Sequence, residues 1–186
     1  MVKHFPGGGP CEGGRDAHYA YGKYAVYPGE NFAEHLRPFT EGAFSLGGKT
    51  KKASAVMPYY TISYERDQKY GENVGNSFNK YLIQDLLREE LGYDGVVCTD
   101  WGITHDTGKT EEEFAGKCWG VEHLTEAERH LKALEAGVDQ FGGNNDVKPV
   151  MEAYGMACES MGRGYRCKIS EICLPPAFKY FPDRTF

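Results

Sequence analysis

The sequence YLIQDLLREELGYDGVVCTDWG, residues 81–102, joins an amphipathic helix to a short buried strand. Charged and amide residues separate apolar side chains that recur at helical spacing: Leu82, Ile83, Leu86, Leu87 and Leu91. Gly92 stands where a helix commonly ends, and the β-branched and apolar run VVCT follows at 96–99. A helix that leads into a strand buried on both faces is the repeating unit of a parallel sheet, so the segment predicts an α/β fold.

Asp100 and Trp101 follow directly after this strand. In parallel α/β folds the reacting groups lie just past the carboxyl ends of the strands, so both residues are candidates for a functional site. An acid at such a position is also a common turn residue or helix N-cap. The local sequence leaves these two interpretations of Asp100 open.

Two further segments are predicted to end strands at the same edge of the sheet. Residues 1–10, MVKHFPGGGP, read as a strand that runs into a loop of glycine and proline. Lys3 and His4 can both donate hydrogen bonds to hydroxyl groups, although such a pair is also common on ordinary protein surfaces. Residues 53–60 read as the next strand, which Pro58 ends. Tyr60 then lies at its carboxyl end, as a site residue or simply as a core residue.

Helices are predicted at 31–45, 125–137 and 146–162, and a last strand at 138–143. Pro38 is expected to kink or end the first part of the first of these helices. A Thr125 cap and a terminal Gly137 bound the second helix. Residues 11–28 and 62–79 lack sustained periodicity and are predicted to be long loops.

The run LLREELGYDGVVCTDWG at 86–102 resembles the segment of glycoside hydrolase family 3 that carries the catalytic nucleophile, usually an Asp-Trp pair after an apolar strand. The resemblance implies that Asp100 is the nucleophile and that Trp101 forms part of the sugar-binding wall. The pentad KHFPG at 3–7 is similar to a motif of the same family. That similarity implies that Lys3 and His4 bind the sugar in the subsite before the cleaved bond.

The pattern VMPYY at 56–60 is also similar to the family. It implies that Tyr60 lies near the nucleophile and that Met57 and Tyr60 contact the substrate. A phenol beside a carboxylate can donate a hydrogen bond that favours the ionised carboxylate, as a nucleophile requires. The family resemblance continues through AGVD at 136–139.

Asp16 and His18 form a possible carboxylate-imidazole pair that could move protons near neutral pH. The N-acetylglucosaminidase branch of the family carries an Asp-Ser-His dyad here and uses its histidine as the acid/base, whereas this chain has Ala17 in place of the serine. The alternative is that Asp16 pairs with Arg15 while His18 packs on a tyrosine.

The chain has 186 residues, and a complete eight-stranded barrel typically needs about 250. The predicted fold is therefore a partial (β/α)8 TIM barrel, about half of the barrel, over residues 1–162. Residues 163–186 are predicted to be a divergent or truncated tail, because the family resemblance lapses there. Open barrel edges would favour self-association or a complementing second chain.

The resemblance implies a β-glucosidase-like enzyme that hydrolyses terminal β-D-glucosides with retention of configuration. In most of the family the acid/base is a glutamate on a following domain, so the chain alone is expected to have little or no activity. One alternative is a truncated, non-catalytic sugar-binding or structural fragment. Another is a β-xylosidase or a β-N-acetylglucosaminidase that uses Asp16 and His18.

The composition argues against several other classes of function. A net charge of −6 gives no sign of binding to nucleic acid or an anionic membrane, which requires a basic face, and no apolar run approaches the roughly 20 residues of a membrane span. Six cysteines show no metal-binding spacing and are predicted to be reduced structural thiols. No cofactor or metal is expected, the predicted partner is a small neutral sugar, and the compartment stays open between cytoplasmic and secreted.

Overall fold

The computed structural model describes residues 1–161. The predicted tail at 163–186, and with it the predicted domain boundary, lies outside these residues. The described strands are short: β1 Val2–Phe5, β2 Tyr24–Ala25, β3 Ala55–Pro58, β4 Ile62–Ser63 and β5 Val96–Val97. The α-helices are α1 Phe32–Arg37, α2 Glu126–Ala136 and α3 Val147–Met161, and two helical segments, Pro38–Ala43 and Tyr81–Glu90, have π-helical hydrogen bonding.

The main sheet has three parallel strands in the order β1-β3-β5. Val56 lies at its centre, paired with Val2 on one side and with Val97 on the other. Both Val56 and Val97 are fully buried, as expected for a parallel strand with both faces covered. The predicted α/β class with parallel strands is confirmed.

The strand predicted at 138–143 is reduced to one parallel bridge, between Cys98 and Gln140. The Thr99 N–H donates to the Gln140 carbonyl at 2.9 Å, so this segment still runs alongside the chain that follows β5. Asp139 adds a side-chain bond, because its Oδ2 accepts from the Val97 N–H at 2.7 Å and from Arg88 Nη2 at 2.6 Å. One carboxylate thus ties the 81–90 helix to β5 and to the segment beside it.

The 81–90 helix has the predicted amphipathic character but a wider hydrogen-bonding pattern. The Leu91 N–H donates to Leu86 O at 2.9 Å, an i→i−5 bond, which is unusual over a helix of this length. Its buried side chains are those predicted: Leu82, Ile83, Leu86 and Leu87. Gly92 follows with φ of 60°, the left-handed conformation that ends many helices.

The two long loops predicted at 11–28 and 62–79 are not wholly irregular, and that prediction was partly wrong. Tyr24–Ala25 pairs in parallel with Ile62–Ser63 to form a second, two-stranded sheet. A strand of two residues is too short to show the alternation that predicts a strand. The turn that follows is held by Asp67, which accepts hydrogen bonds from the backbone of Lys69 and Tyr70.

The helix boundaries follow the local signals. α1 ends at Arg37, and the π-helical segment begins at Pro38, as expected of a residue that breaks α-helical hydrogen bonding. α2 has a complete capping box, in which Thr125 and Glu128 exchange side-chain and backbone hydrogen bonds. Gly137 ends α2 with φ of 107°.

Within residues 1–161, no helix is long and apolar enough to cross a membrane. The same part of the chain contains no group of three metal-ligating side chains. Its four cysteines are free thiols, and two of them, Cys98 and Cys118, are buried.

Candidate active site

A wide cavity of about 1500 Å³ lies at the carboxyl ends of β1, β3 and β5. Chain segments that are far apart in sequence converge there, because parallel strands end at one edge of a sheet. The predicted site residues among its lining are Lys3, Met57, Tyr60, Asp100, Trp101 and His18. His4 joins this group through a contact with Asp100.

Asp100 follows β5 and is 6% exposed. Its two carboxylate oxygens are treated differently. Oδ1 accepts a hydrogen bond from the Trp101 N–H at 2.8 Å, whereas Oδ2 has no hydrogen-bond donor among the described residues. His4 Nε2 lies 3.4 Å from Oδ2, too long for a strong hydrogen bond. One oxygen is therefore fixed by the backbone, and the other is left with its bonding capacity unused.

His4 and Lys3 contribute differently to this edge of the sheet. The His4 ring packs against Tyr59 with centroids 4.7 Å apart. Burial lowers the pKa of His4, and the nearby Asp100 charge opposes that effect, so the imidazole is neutral at pH 7. Lys3 is exposed and lines the cavity. The sequence allows a surface position or a site position for this pair, and the structure places Lys3 in the cavity lining and His4 against Asp100.

Tyr60 and Met57 form part of the cavity wall and are also buried, at 4% and 6% exposure. Burial raises the pKa of Tyr60 above its usual value, and the negative charge of Asp100 adds to the effect. The phenol is therefore protonated throughout the neutral range and can donate a hydrogen bond. Tyr60 is therefore both a buried core residue and part of the cavity wall.

Asp16 and His18 are in direct contact. His18 Nδ1 lies 2.7 Å from Asp16 Oδ1, and the His18 backbone N–H donates to the same oxygen at 2.9 Å. These bonds from His18 lower the pKa of Asp16. The alternative pairing of Asp16 with Arg15 is wrong, although His18 does pack on a tyrosine, with its ring centroid 4.9 Å from that of Tyr60.

Trp101 projects into the cavity and is 63% exposed. Gly142 and Gly143, which follow the bridge residue Gln140, leave space for its indole. A Cβ on Gly143 would lie 2.6 Å from the indole ring, and Gly143 has φ of +64°. Glycine is thus required at 143 both by its own backbone and by the tryptophan beside it.

We expect Gly143→Ala to destabilise the chain and displace the indole of Trp101. A side chain in the left-handed region costs about 1–2 kcal/mol, and the collision adds to it. Urea unfolding measures the stability, and the indole N–H signal of Trp101 in a ¹⁵N NMR spectrum measures the displacement. Gly47→Ala is the control, because a Cβ there meets open space. An unmoved Trp101 signal in Gly143→Ala would contradict this account.

Several cavity residues were not singled out from the sequence as binding residues. Lys117 is 5% exposed and lines the cavity, with its Nζ 3.7 Å from the ring centroid of Phe114. Phe114 in turn stacks on His18 at 6.0 Å. The loop that carries both residues is rich in charged side chains, which are usually exposed to solvent. The one sequence cue was the place of Lys117 beside the apolar run Cys118 and Trp119.

Arg129 of α2 holds this loop in place. It is 2% exposed and donates to the carbonyls of Thr104, Val121 and Glu122 at 2.9–3.2 Å. It also donates to Asp106 at 2.7 Å. Asp106 and His105, which belong to this loop, both line the cavity.

His130, the next residue of α2, holds the opposite wall of the cavity. Its Nδ1 must donate to the Glu126 carbonyl, which is 2.7 Å away, so its Nε2 accepts from Asn144 Nδ2 at 2.9 Å. Asn144 lines the cavity. The buried imidazole therefore fixes an amide at the cavity wall as long as it stays neutral.

We expect the chain to lose stability as the pH falls below about 6.5. Burial lowers the pKa of His130, and the nearby His105 acts in the same direction, against smaller opposing effects of the Glu126 carbonyl and of the charges on Glu126 and Asp146. A base whose pKa is depressed by folding contributes stability that is full above its unfolded pKa and is lost as the pH falls through its folded pKa. Urea midpoints at pH 7.5 and 5.5 measure the loss.

His130→Gln is the matched variant for this prediction, since an amide keeps polar atoms at the site without titrating. It should lose less stability than the parent chain between the two pH values. Some loss should remain, because the pKa of His4 is also lowered. Equal losses in the two chains would exclude His130 as the source.

In a comparison with known protein families, residues 1–154 match the model of the glycosyl hydrolase family 3 N terminal domain. A probable β-glucosidase C of Aspergillus oryzae is 48% identical over 152 residues, which cover 82% of this chain and 22% of that protein. A periplasmic β-glucosidase/β-xylosidase of Dickeya chrysanthemi is 43% identical over 164 residues, which cover 82% of this chain and 24% of that protein.

Among solved structures, the β-N-acetylhexosaminidase of Beutenbergia cavernae superposes with a TM-score of 0.63 at 22% identity. The superposition covers 96% of this chain and 46% of that structure. The likeness agrees with the predicted partial (β/α)8 barrel. The chain spans about a quarter of the length of the two curated relatives.

Proposed function

Because this chain belongs to glycosyl hydrolase family 3, we propose that it carries the nucleophile of a retaining exo-glycosidase that acts on terminal β-D-glucosides. Asp100 is the nucleophile in this proposal. Lys3, His4 and Tyr60 bind the sugar, with Met57 and Trp101 as the apolar walls.

The observation that carries the proposal is the state of the Asp100 carboxylate. It lies at the mouth of a buried parallel strand, with one oxygen fixed by the backbone and the other without a donor in the described residues. It shares a cavity with Lys3 and Trp101. A carboxylate that is held in place and still has a free oxygen is suited to attack an anomeric carbon.

The chemistry follows from this arrangement. Asp100 Oδ2 forms a bond to the anomeric carbon while the bond from that carbon to the leaving oxygen breaks, and an acid gives the leaving oxygen a proton. Water then attacks the anomeric carbon, the bond from that carbon to Asp100 breaks, and the conjugate base of the acid takes up the proton of the water. Neutral His4 and cationic Lys3 are donors for the ring hydroxyls, and the exposed indole of Trp101 offers a face on which a sugar ring can stack.

The chain also offers a candidate for the acid. His18 shares the cavity with Asp100 and bonds to Asp16 at 2.7 Å, an arrangement that orients an imidazole for proton transfer. This favours, as a second candidate, the dyad mechanism of a β-N-acetylglucosaminidase-like enzyme. A β-xylosidase with Asp100 as its nucleophile would differ from the principal proposal in the sugar that it accepts.

Covalent trapping tests the principal proposal. 2,4-Dinitrophenyl 2-deoxy-2-fluoro-β-D-glucoside has a leaving group that needs no protonation, so trapping does not depend on the identity of the acid. We expect the chain to gain one fluoroglucosyl group on the peptide that contains Asp100, detected by mass spectrometry. The absence of an adduct, or an adduct on another residue, would overturn the proposal. Labelling rates with the corresponding 2-fluoroxyloside, and hydrolysis rates with the corresponding 2-acetamido sugar, test the β-xylosidase and β-N-acetylglucosaminidase alternatives.

Leaving-group dependence tests the second candidate. His18→Gln should slow the release of poor leaving groups such as 4-methylphenol far more than that of dinitrophenol, because only the former need a proton. Equal slowing of both would assign His18 to binding or packing instead.

A further inference from the structure

The ammonium group of Lys117 lies in the cavity wall without a polar partner. The residue is 5% exposed. Within residues 1–161, its Nζ donates no hydrogen bond and has no carboxylate within ion-pair distance, although its backbone N–H bonds to Gly102 O at 3.0 Å. The main chain of Lys117 is thus bonded to Gly102, two residues after Asp100, whereas its ammonium group has hydrogen bonds left to donate.

The neighbours of this ammonium are mainly aromatic. Nζ lies 3.7 Å from the ring centroid of Phe114 and 5.8 Å from that of Tyr60. Contacts of a cation with an aromatic face compensate only part of the hydration that a buried ammonium loses. Burial lowers the pKa of Lys117, and the charges of Asp100 and Asp16 act in the opposite direction.

The surrounding charges indicate what kind of ligand would complete this environment. Asp16 is already bonded to His18, and Asp106 is bonded to Arg129, so neither carboxylate is free for Lys117. Asp100 supplies one negative charge, while Lys3 adds a second cation to the same cavity. An anionic ligand at this position would be repelled by the Asp100 carboxylate, whereas a neutral ligand rich in oxygen acceptors can accept hydrogen bonds from the ammonium without that repulsion.

We propose that Lys117 is a substrate-binding residue of this site, whose ammonium donates hydrogen bonds to hydroxyl oxygens of the sugar held at Asp100. This inference rests on the proposed function and adds a donor that none of the sequence motifs contains.

Inactivation kinetics with the dinitrophenyl fluoroglucoside test the proposal, because they separate the binding constant of the probe from the rate of labelling. Lys117→Met keeps most of the length of the side chain and removes its charge and donors. We expect the inactivation constant KI to rise about tenfold or more, as for the loss of a hydrogen bond from a charged donor. Lys117→Arg should recover most of the affinity, and Lys109→Met, an exposed lysine of the same loop, should behave as the parent chain.

The comparison of Lys117→Met with Lys117→Arg separates the loss of the cation from the loss of packing, because only arginine keeps a charged donor at this position. A labelled parent chain together with an unchanged KI in Lys117→Met would overturn the role of Lys117 and leave the proposed function standing. An unlabelled parent chain would overturn both.

A measurement on the parent chain keeps the proposal testable if Lys117→Met fails to fold. Reductive dimethylation with formaldehyde and cyanoborohydride modifies accessible lysines, and mass spectrometry of the digest gives the rate at each position. Saturating glucose should slow the modification of Lys117 and leave Lys109 unaffected. Equal rates at Lys117 with and without glucose would contradict a direct contact.

Discussion

Replacing Asp100 by asparagine is expected to slow covalent labelling by about 10⁴-fold or more, the scale of loss seen when an enzyme nucleophile is removed. An amide oxygen is a far weaker nucleophile than a carboxylate oxygen, because it carries no negative charge. The fold should be preserved, because the asparagine Oδ1 can still accept the hydrogen bond from the Trp101 N–H, which is 2.8 Å from Oδ1 of Asp100. Mass spectrometry of the labelled chain over time provides the rate.

Asp94→Asn is the matched control for this prediction. Asp94 lies six residues earlier, and its side chain is 87% exposed, so the same chemical change should leave labelling unchanged. Thermal unfolding of both variants confirms that they are folded. Labelling of Asp100→Asn at the parent rate would mean that another residue attacks the sugar.

Arg129→Met is expected to lower the free energy of unfolding by about 3–5 kcal/mol, a large part of the stability of a typical domain, because each buried acceptor left without its donor costs about 1–3 kcal/mol. The guanidinium is buried and satisfies three backbone carbonyls besides Asp106. Methionine fills much of the volume but leaves those carbonyls without their donor, and unsatisfied buried acceptors are costly. Urea unfolding with linear extrapolation measures the change.

Arg37→Met is the control for burial. Arg37 also makes several charged hydrogen bonds, with Glu34 at 2.9 Å and Glu41 at 3.0 Å, but its side chain is 56% exposed. Exposed ion pairs contribute little, so this variant should have nearly the stability of the parent chain. Similar losses from the two arginine substitutions would show that burial is not the source of the effect.

The elements that could be predicted from the sequence are those whose signal is local. The apolar face of residues 81–90, the Gly92 stop and the capping box at Thr125 each depend on a few neighbouring residues, and each is found in the structure. The strand ends carrying Lys3, Tyr60 and Asp100 were also predictable, because proline, glycine and acidic residues interrupt short apolar runs there. Their convergence followed from the geometry of a parallel sheet.

The remaining features depend on contacts between distant segments. The pairing of Tyr24 with Ile62 joins two segments that have no strand pattern of their own. The burial of Lys117 and Arg129 was also hidden, since charged residues are usually exposed and only tertiary contacts bury them. In both cases the local sequence favours the more common outcome, and packing decides otherwise.

The carboxylate of Asp139 has a consequence for how this protein can be re-engineered. β5 has only two ladder residues, so the Asp139 bond to the Val97 N–H is one of the few features that fix its alignment. Asp100 lies three residues after Val97, so the alignment of Val97 also sets the position of Asp100. Residues added to the loop after Gly102 leave the spacing between Val97 and Asp100 unchanged. Inserting a single residue between 97 and 100 would turn the Asp100 side chain toward the opposite side of the sheet.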